Sequence, residues 1–289
     1  MRKITFVAVA ALSALLISEA VANSSPPPPP PPPPVSSNTY NLLVHGRSGD
    51  DHCVAISGVN SATNDKNGYW SGSTSNLSNV RYVGFEGTKN GGAQRQMHDA
   101  VQTWCTGSNQ CNIYTHSTGG LVAAYYFYAS GSAGTNILDV RLMANASGGS
   151  ELADISTDYL SWLGFDTLGG ELDESVSTSG ARGWNHNDTA GLVFALAGGE
   201  SSDYLGVTSP FLPGYDDGVL ANHSLCGMNK VDTVDRSCPY GSGNFSESYS
   251  CGFLWLSNCT RNHTRFSNHN TVYVRGGDTH SDAKEHYNK

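Results

Sequence analysis

The chain has 289 residues with 25 acidic and 16 basic side chains, a net charge of −9, and is rich in glycine, with 33. An acidic balance of this size argues against nucleic acid and anionic membrane as partners, because both select cationic surfaces. Seven cysteines point to a compartment in which disulfides persist.

Residues 1–22 have the three parts of a secretory signal peptide: Met1-Arg2-Lys3, an apolar run from Ile4 to Ile17, and Ala20-Val21-Ala22 as the cleavage site. The reading predicts a secreted product, extracellular or periplasmic. No later stretch approaches the ~20 apolar residues of a membrane span. Without Arg2, Lys3 and Glu19, 14 basic and 24 acidic side chains remain, a net charge of −10. Residues 23–37 hold nine consecutive prolines, Pro26 to Pro34, and read as a stiff polyproline spacer, with docking to a proline-binding groove as the alternative. Residues 38–289 suit one large catalytic domain.

Within that domain, Tyr40 to Val44 reads as a buried strand running into His45-Gly46-Arg47. A second strand is predicted at Val80 to Phe85, and a helix over Ala93 to Trp104, where Met97, Ala100, Val101 and Trp104 share one face. Ile113 and Tyr114 continue as a strand that breaks at Thr115–Gly120 and resumes as a helix from Leu121 to Tyr128. Ser117 sits at the break, where a hydroxyl is lifted out of the sheet and the N–H of Thr118 faces any oxyanion formed on attack. The nucleophile pattern is G-x-S-x-G; here it is T-H-S-T-G, with Thr115 in place of the first glycine. A Ser-x-Gly triplet is by itself an ordinary turn, so the assignment depends on context.

Strands follow at Ile137 to Met143 and Gly191 to Ala197, separated by an apolar-faced helix, Leu152 to Leu163, which reads as a cap or lid or as a plain surface helix. Alternating strands and helices imply right-handed crossovers and a parallel sheet. A last strand is predicted at Thr271 to Arg275, then a glycine loop, then His280. Cys105 and Cys111 bracket a turn and are expected to bridge. Cys226, Cys238, Cys251 and Cys259 staple one Gly/Ser/Asn-rich stretch with open connectivity, and Cys53 completes the seven. Zinc is disfavoured, because no paired C-x-x-C spacing exists.

LLVHG followed by Arg47, the GYW of Gly68 to Trp70, THSTGG, the GGSELAD of Gly148 to Asp154 and the DDGVLANHSLCG of Asp216 to Gly227 occur in a set order. In that order the chain resembles the alpha/beta-hydrolase superfamily, and within it the secreted bacterial true lipases, across about residues 40–230. The resemblance implies an α/β fold with a mostly parallel central sheet, helices on both faces and a cap or lid insertion. It implies Ser117 as nucleophile, Asp217 as the acid, His280 as the base, and the backbone N–H groups of Arg47 and Thr118 as the oxyanion hole. It also implies a structural calcium held by Asp282, two residues after the histidine, with Glu200 or Asp203 as partner; no other cofactor is expected. The family's P-H-R-G-S is reduced here to Ala146-Ser147-Gly148-Gly149-Ser150.

Serine is a poor nucleophile at its own pKa, so an imidazole must accept its proton and a carboxylate must hold that imidazole's tautomer. Ser117, Asp217 and His280 stand in the Ser…Asp…His order this fold uses. Asp216 is the alternative acid and Asp188 a third. Among the ten histidines, His116 adjoins the serine, His223 lies six residues from Asp217, and His286 nearly ends the chain. The expected activity is hydrolysis of a small-molecule or lipid carboxylic ester, with polyester depolymerase or acyltransferase on the same triad as the alternative. The contrasting class is a noncatalytic surface protein on a hydrolase scaffold.

Overall fold

A computed structural model describes residues 38–47, 68–83, 90–155, 171–202, 204, 206–252 and 257–288. The signal-peptide and spacer readings, Cys53, Asp203 and most of the cap segment lie outside these residues.

Among the described residues, seven strands form the main sheet in the order β2-β1-β3-β4-β5-β9-β6. They are β1 (Thr39–Val44), β2 (Val80–Val83), β3 (Gln110–His116), β4 (Ile137–Met143), β5 (Phe194–Ser201), β6 (Gly241–Ser242) and β9 (His269–Thr279). All neighbours run parallel except the short β6 against β9. Parallel strands need crossovers. Helix α1 (Asn90–Trp104) joins β2 to β3, and α2 (Gly119–Ser130) joins β3 to β4.

Side chains alternate across a strand, so each strand feeds two cores. Leu42, Val44, Ile113, Val140, Leu142, Phe194 and Leu196 pack with α1 (Met97, Ala100, Val101) and α2 (Val122, Ala123, Phe127). Leu43, Tyr114, Met143 and Ala197 point the other way, onto Trp70 and onto Tyr287 of the C-terminal 3-10 helix Asp282–Asn288. Because α2 is apolar nearly all round, it is buried on nearly all sides, and it ends where Gly131 takes φ 72° and donates to the Phe127 carbonyl.

Three predicted elements differ in extent. The start of the helix expected from Leu152 to Leu163 is the single turn α3 (Glu151–Asp154), begun by Ser150 Oγ accepting from Leu152 N–H and ended by Ile155 in extended backbone, while residues 156–163 lie outside the described residues. The strand expected from Gly191 begins at Phe194, because Ala190 and Gly191 both take positive φ and turn the chain first. The glycine loop expected after Arg275 is strand: β9 runs through Gly276 and Gly277 to Thr279. There Gly199 of β5 lies so near that a β-carbon on it would meet the Asp278 carbonyl oxygen at 2.1 Å, and the register shifts.

The short helices α4 (Glu171–Val176) and α5 (Thr178–Arg182) precede β5, and α6 (Asn222–Leu225) follows it. Strands β7 (Phe245–Cys251) and β8 (Ser257–His263) make a separate antiparallel pair. Cys105–Cys111, Cys226–Cys238 and Cys251–Cys259 are disulfides. The last closes the β7–β8 pair, which two strands alone hold only marginally.

Candidate active site

The site gathers at the carboxyl ends of β1, β3, β5 and β9, where open parallel sheets place their ligands. At the end of β3, Ser117 takes φ 55°, a left-handed backbone uncommon for a side-chain-bearing residue. Its N–H donates to the Met143 carbonyl (2.9 Å), and its own carbonyl accepts from Gly120 N–H (3.0 Å). Two contacts force this sharp turn against β1. A β-carbon on Gly119 would lie 2.5 Å from the Val44 carbonyl oxygen, and one on Gly46 would lie 2.7 Å from Ser117 Cβ. Gly46 therefore brings the His-Gly turn, with Arg47 after it, against the elbow. Thr118 is the N-cap of α2, so its N–H belongs to the first turn, which lacks intrahelical partners.

Asp217 is fully buried on the segment after β5. One oxygen accepts from the N–H groups of Val219 (2.9 Å) and Leu220 (2.7 Å), and the other accepts from Nδ1 of His280 at 2.7 Å. The His280 backbone N–H donates to the Asp217 carbonyl as well (3.1 Å). With Nδ1 donating to the carboxylate, a neutral His280 ring keeps its lone pair on Nε2. His280 also meets the elbow, since its ring lies 4.8 Å from that of His116, the residue before Ser117.

The alternatives have other partners. Asp216 accepts from Ser209 Oγ (3.0 Å) and Gly218 N–H (2.8 Å), and burial pushes its carboxyl above the usual range. Asp188 accepts from the nearby Ala190 N–H. His223 is buried between Arg182 and Glu151, and His286 pairs with Asp278 at 2.7 Å. Since Arg182 can only donate, Nδ1 of His223 accepts from it and Nε2 donates to Glu151. This buried network ties α5 to α3 and α6.

Of the carboxylates suggested for calcium, Asp282 and Glu200 accept from protein donors, and Asp203 lies outside the described residues. Asp282 accepts from Thr279 N–H and Oγ1, both at 3.0 Å. Glu200 accepts from Asn222 (2.8 Å), Cys238 N–H (3.2 Å) and Ser237. Among the described residues no group of three or more His, Cys, Asp or Glu is placed to hold a metal ion. Nor is any helix among them long and apolar enough to cross a membrane.

Sequence reasoning passed over Tyr69, whose hydroxyl meets Nδ1 of His116. The GYW motif was visible, but nothing in its spacing ties it to a histidine 47 positions away.

A parallel sheet with a strained serine elbow after its third strand and a histidine after its last parallel strand defines the α/β-hydrolase fold. Solved structures agree. The chain is similar to the mature form of the lipase BlEst2 from Bacillus licheniformis, with TM-score 0.51 and 13% identity over 90% of this chain and 92% of that one. It is also similar to the phospholipase PlaB from Legionella pneumophila in complex with thio-NAD, with TM-score 0.50 and 14% identity over 83% of this chain. The chain spans 52% of that phospholipase. Likeness at such identities is one of fold. No family model matches the sequence, and no curated protein does.

Proposed function

We propose that the chain is a secreted serine carboxylic-ester hydrolase of the lipase or esterase kind, acting through an acyl-enzyme. The observation that carries this reading is the buried Asp217–His280 hydrogen bond, 2.7 Å long, held beside an elbow whose serine takes φ 55°. In the reaction, Ser117 Oγ attacks the ester carbonyl carbon while its proton passes to Nε2 of His280. The oxyanion of the tetrahedral intermediate faces the N–H groups of Thr118 and Arg47. As the intermediate collapses, His280 returns the proton to the leaving alcohol and Ser117 keeps the acyl group. Water then attacks the acyl-enzyme, again giving its proton to His280, and the acid leaves as the serine is restored.

A lipid-like ester fits the exposed Tyr204, Val207 and Tyr215 on the segment leading to Asp217, and the names of the two structural neighbours point the same way. Export is supported by three disulfides, which persist in oxidising compartments. The test is labelling by a fluorophosphonate probe, located by peptide mapping, together with hydrolysis of nitrophenyl esters of increasing acyl length. Labelling at Ser117 with ester turnover is the expected result. A protein that neither reacts with the probe nor cleaves any ester overturns the proposal in favour of a noncatalytic scaffold.

A further inference from the structure

Tyr69 and His116 take no step in this reaction, yet they fill the space between the His-Gly turn, the elbow and His280. The Tyr69 hydroxyl meets Nδ1 of His116, and Nε2 of His116 lies 2.8 Å from the His280 carbonyl oxygen. A carbonyl oxygen can only accept, so Nε2 carries the proton and donates. Nδ1 then holds the lone pair and accepts from the Tyr69 O–H. One tautomer of one neutral ring satisfies both contacts. Burial, and next the charge of His280, keep His116 well below the ordinary imidazole pKa, so protonation does not undo the arrangement near neutral pH.

The pair is braced from two sides. Lys284 donates to the Tyr69 carbonyl (3.1 Å) and stands 5.0 Å over its ring, joining the Tyr69 segment to the helix that follows His280. A β-carbon on Gly46 would meet the Tyr69 hydroxyl oxygen at 2.4 Å, which wedges that oxygen against the His-Gly turn. Asp217 holds the N–H and Nδ1 of His280, and His116 holds its carbonyl. Among the described residues these partners take every polar group of His280 except Nε2.

We infer that His116, its ring held at Nδ1 by the Tyr69 hydroxyl, is a positioning residue that holds the His280 main chain at a fixed offset from Ser117, its own neighbour in sequence. The inference rests on the reading of Ser117 as nucleophile and His280 as base. A small displacement of a base from its nucleophile costs on the order of 10–100-fold in rate while leaving ground-state binding alone.

The experiment measures fluorophosphonate labelling of Ser117, and kcat and KM for nitrophenyl butyrate, in wild type, Tyr69→Phe, His116→Gln and His116→Leu. His116→Leu is expected to lower kcat and the labelling rate by about 10–100-fold with KM within about twofold. Gln, whose amide nitrogen reaches about as far as Nε2 and can donate to the same carbonyl, is expected to restore most of the loss. Tyr69→Phe is expected to cost about three- to tenfold in kcat, because Nδ1 of His116 loses the hydroxyl that holds its ring in place. If wild type is labelled at Ser117 while His116→Leu keeps its kcat, or Gln loses as much as Leu, this inference falls and the proposed function stands. If wild type is not labelled at Ser117, the function itself falls. Should His116→Leu not fold, Tyr69→Phe decides, and an unchanged kcat there overturns the inference.

Discussion

Gly119 approaches the end of β1 so closely that a β-carbon on it would lie 2.5 Å from the Val44 carbonyl oxygen and 2.6 Å from that of His45. The atoms it would meet are backbone, at the end of a strand hydrogen-bonded on both sides, and cannot swing aside. Gly119→Ala is therefore expected to cost at least about 1–3 kcal/mol by overpacking and to push Ser117 and Thr118 away from the His-Gly turn. Urea unfolding and ester hydrolysis measured together check this, and an alanine variant with native stability would mean that the contact is loose.

The left-handed backbone of Ser117 separates its chemical role from its structural cost. Ser117→Ala and Ser117→Gly should both lose ester hydrolysis by ~10³-fold or more. The glycine variant should be more stable than the alanine variant by about 1 kcal/mol, because only alanine retains the steric penalty at φ 55°. Equal urea midpoints for the two variants would show that the elbow carries no strain.

Asp217→Asn keeps the shape of the acid and removes its charge. The expected loss is ~10²–10⁴-fold in kcat, against a much smaller loss for Asp216→Asn, whose carboxylate binds Ser209 and Gly218 instead. A crippled Asp216→Asn with an active Asp217→Asn would reverse the assignment.

Acid should destabilise the fold through three buried histidines. Burial holds His116 well below the ordinary imidazole pKa, His186 at about 4 and His269 at about 3. Each stays neutral in the fold while the unfolded chain gains a proton below pH ~6.5, so unfolding binds protons and stability falls as pH falls. The stability is complete above pH ~6.5 and is lost downward, by roughly 3 kcal/mol for His186 by pH ~4. His269→Phe, set among Phe194 and Phe266, should flatten the dependence of the urea midpoint on pH between ~6.5 and ~4. An unchanged slope in that variant would remove His269 from the account.

Reduction should weaken the fold more than the chemistry. Cys105–Cys111 closes a short loop just before the strand that carries Ser117, and such a bridge contributes ~2 kcal/mol. The expected result is a lower melting temperature in reductant, with labelling of Ser117 at 25 °C largely kept. Mass spectrometry of the unreduced protein should find Cys105–Cys111, Cys226–Cys238 and Cys251–Cys259, and free thiols at these six positions would contradict the stapled fold.

The sequence by itself determined whatever depends on neighbours along the chain. Ile137–Met143 is a strand over the residues its apolar run predicted, the break at Ser117 is a turn between strand and helix, and Cys105 meets Cys111 across the intervening turn. These follow from backbone sterics and side-chain alternation, which act over a few residues. Tertiary structure decided which distant loops share one end of the sheet. Asp217 and His280 are 63 residues apart, and β9 reaches its place beside β5 only after the chain has built β6 and the separate β7–β8 pair. His-x-Asp and Asp-Asp-Gly spacings name the candidates, but they do not state which carboxylate faces which ring. That choice is made by the parallel pairing of β5 with β9, which delivers both following segments to the same edge. The Tyr69–His116–His280 contacts were invisible for the same reason: each residue is ordinary in its local sequence, and only the fold brings a buried His116 between the other two, where its ring nitrogens need partners.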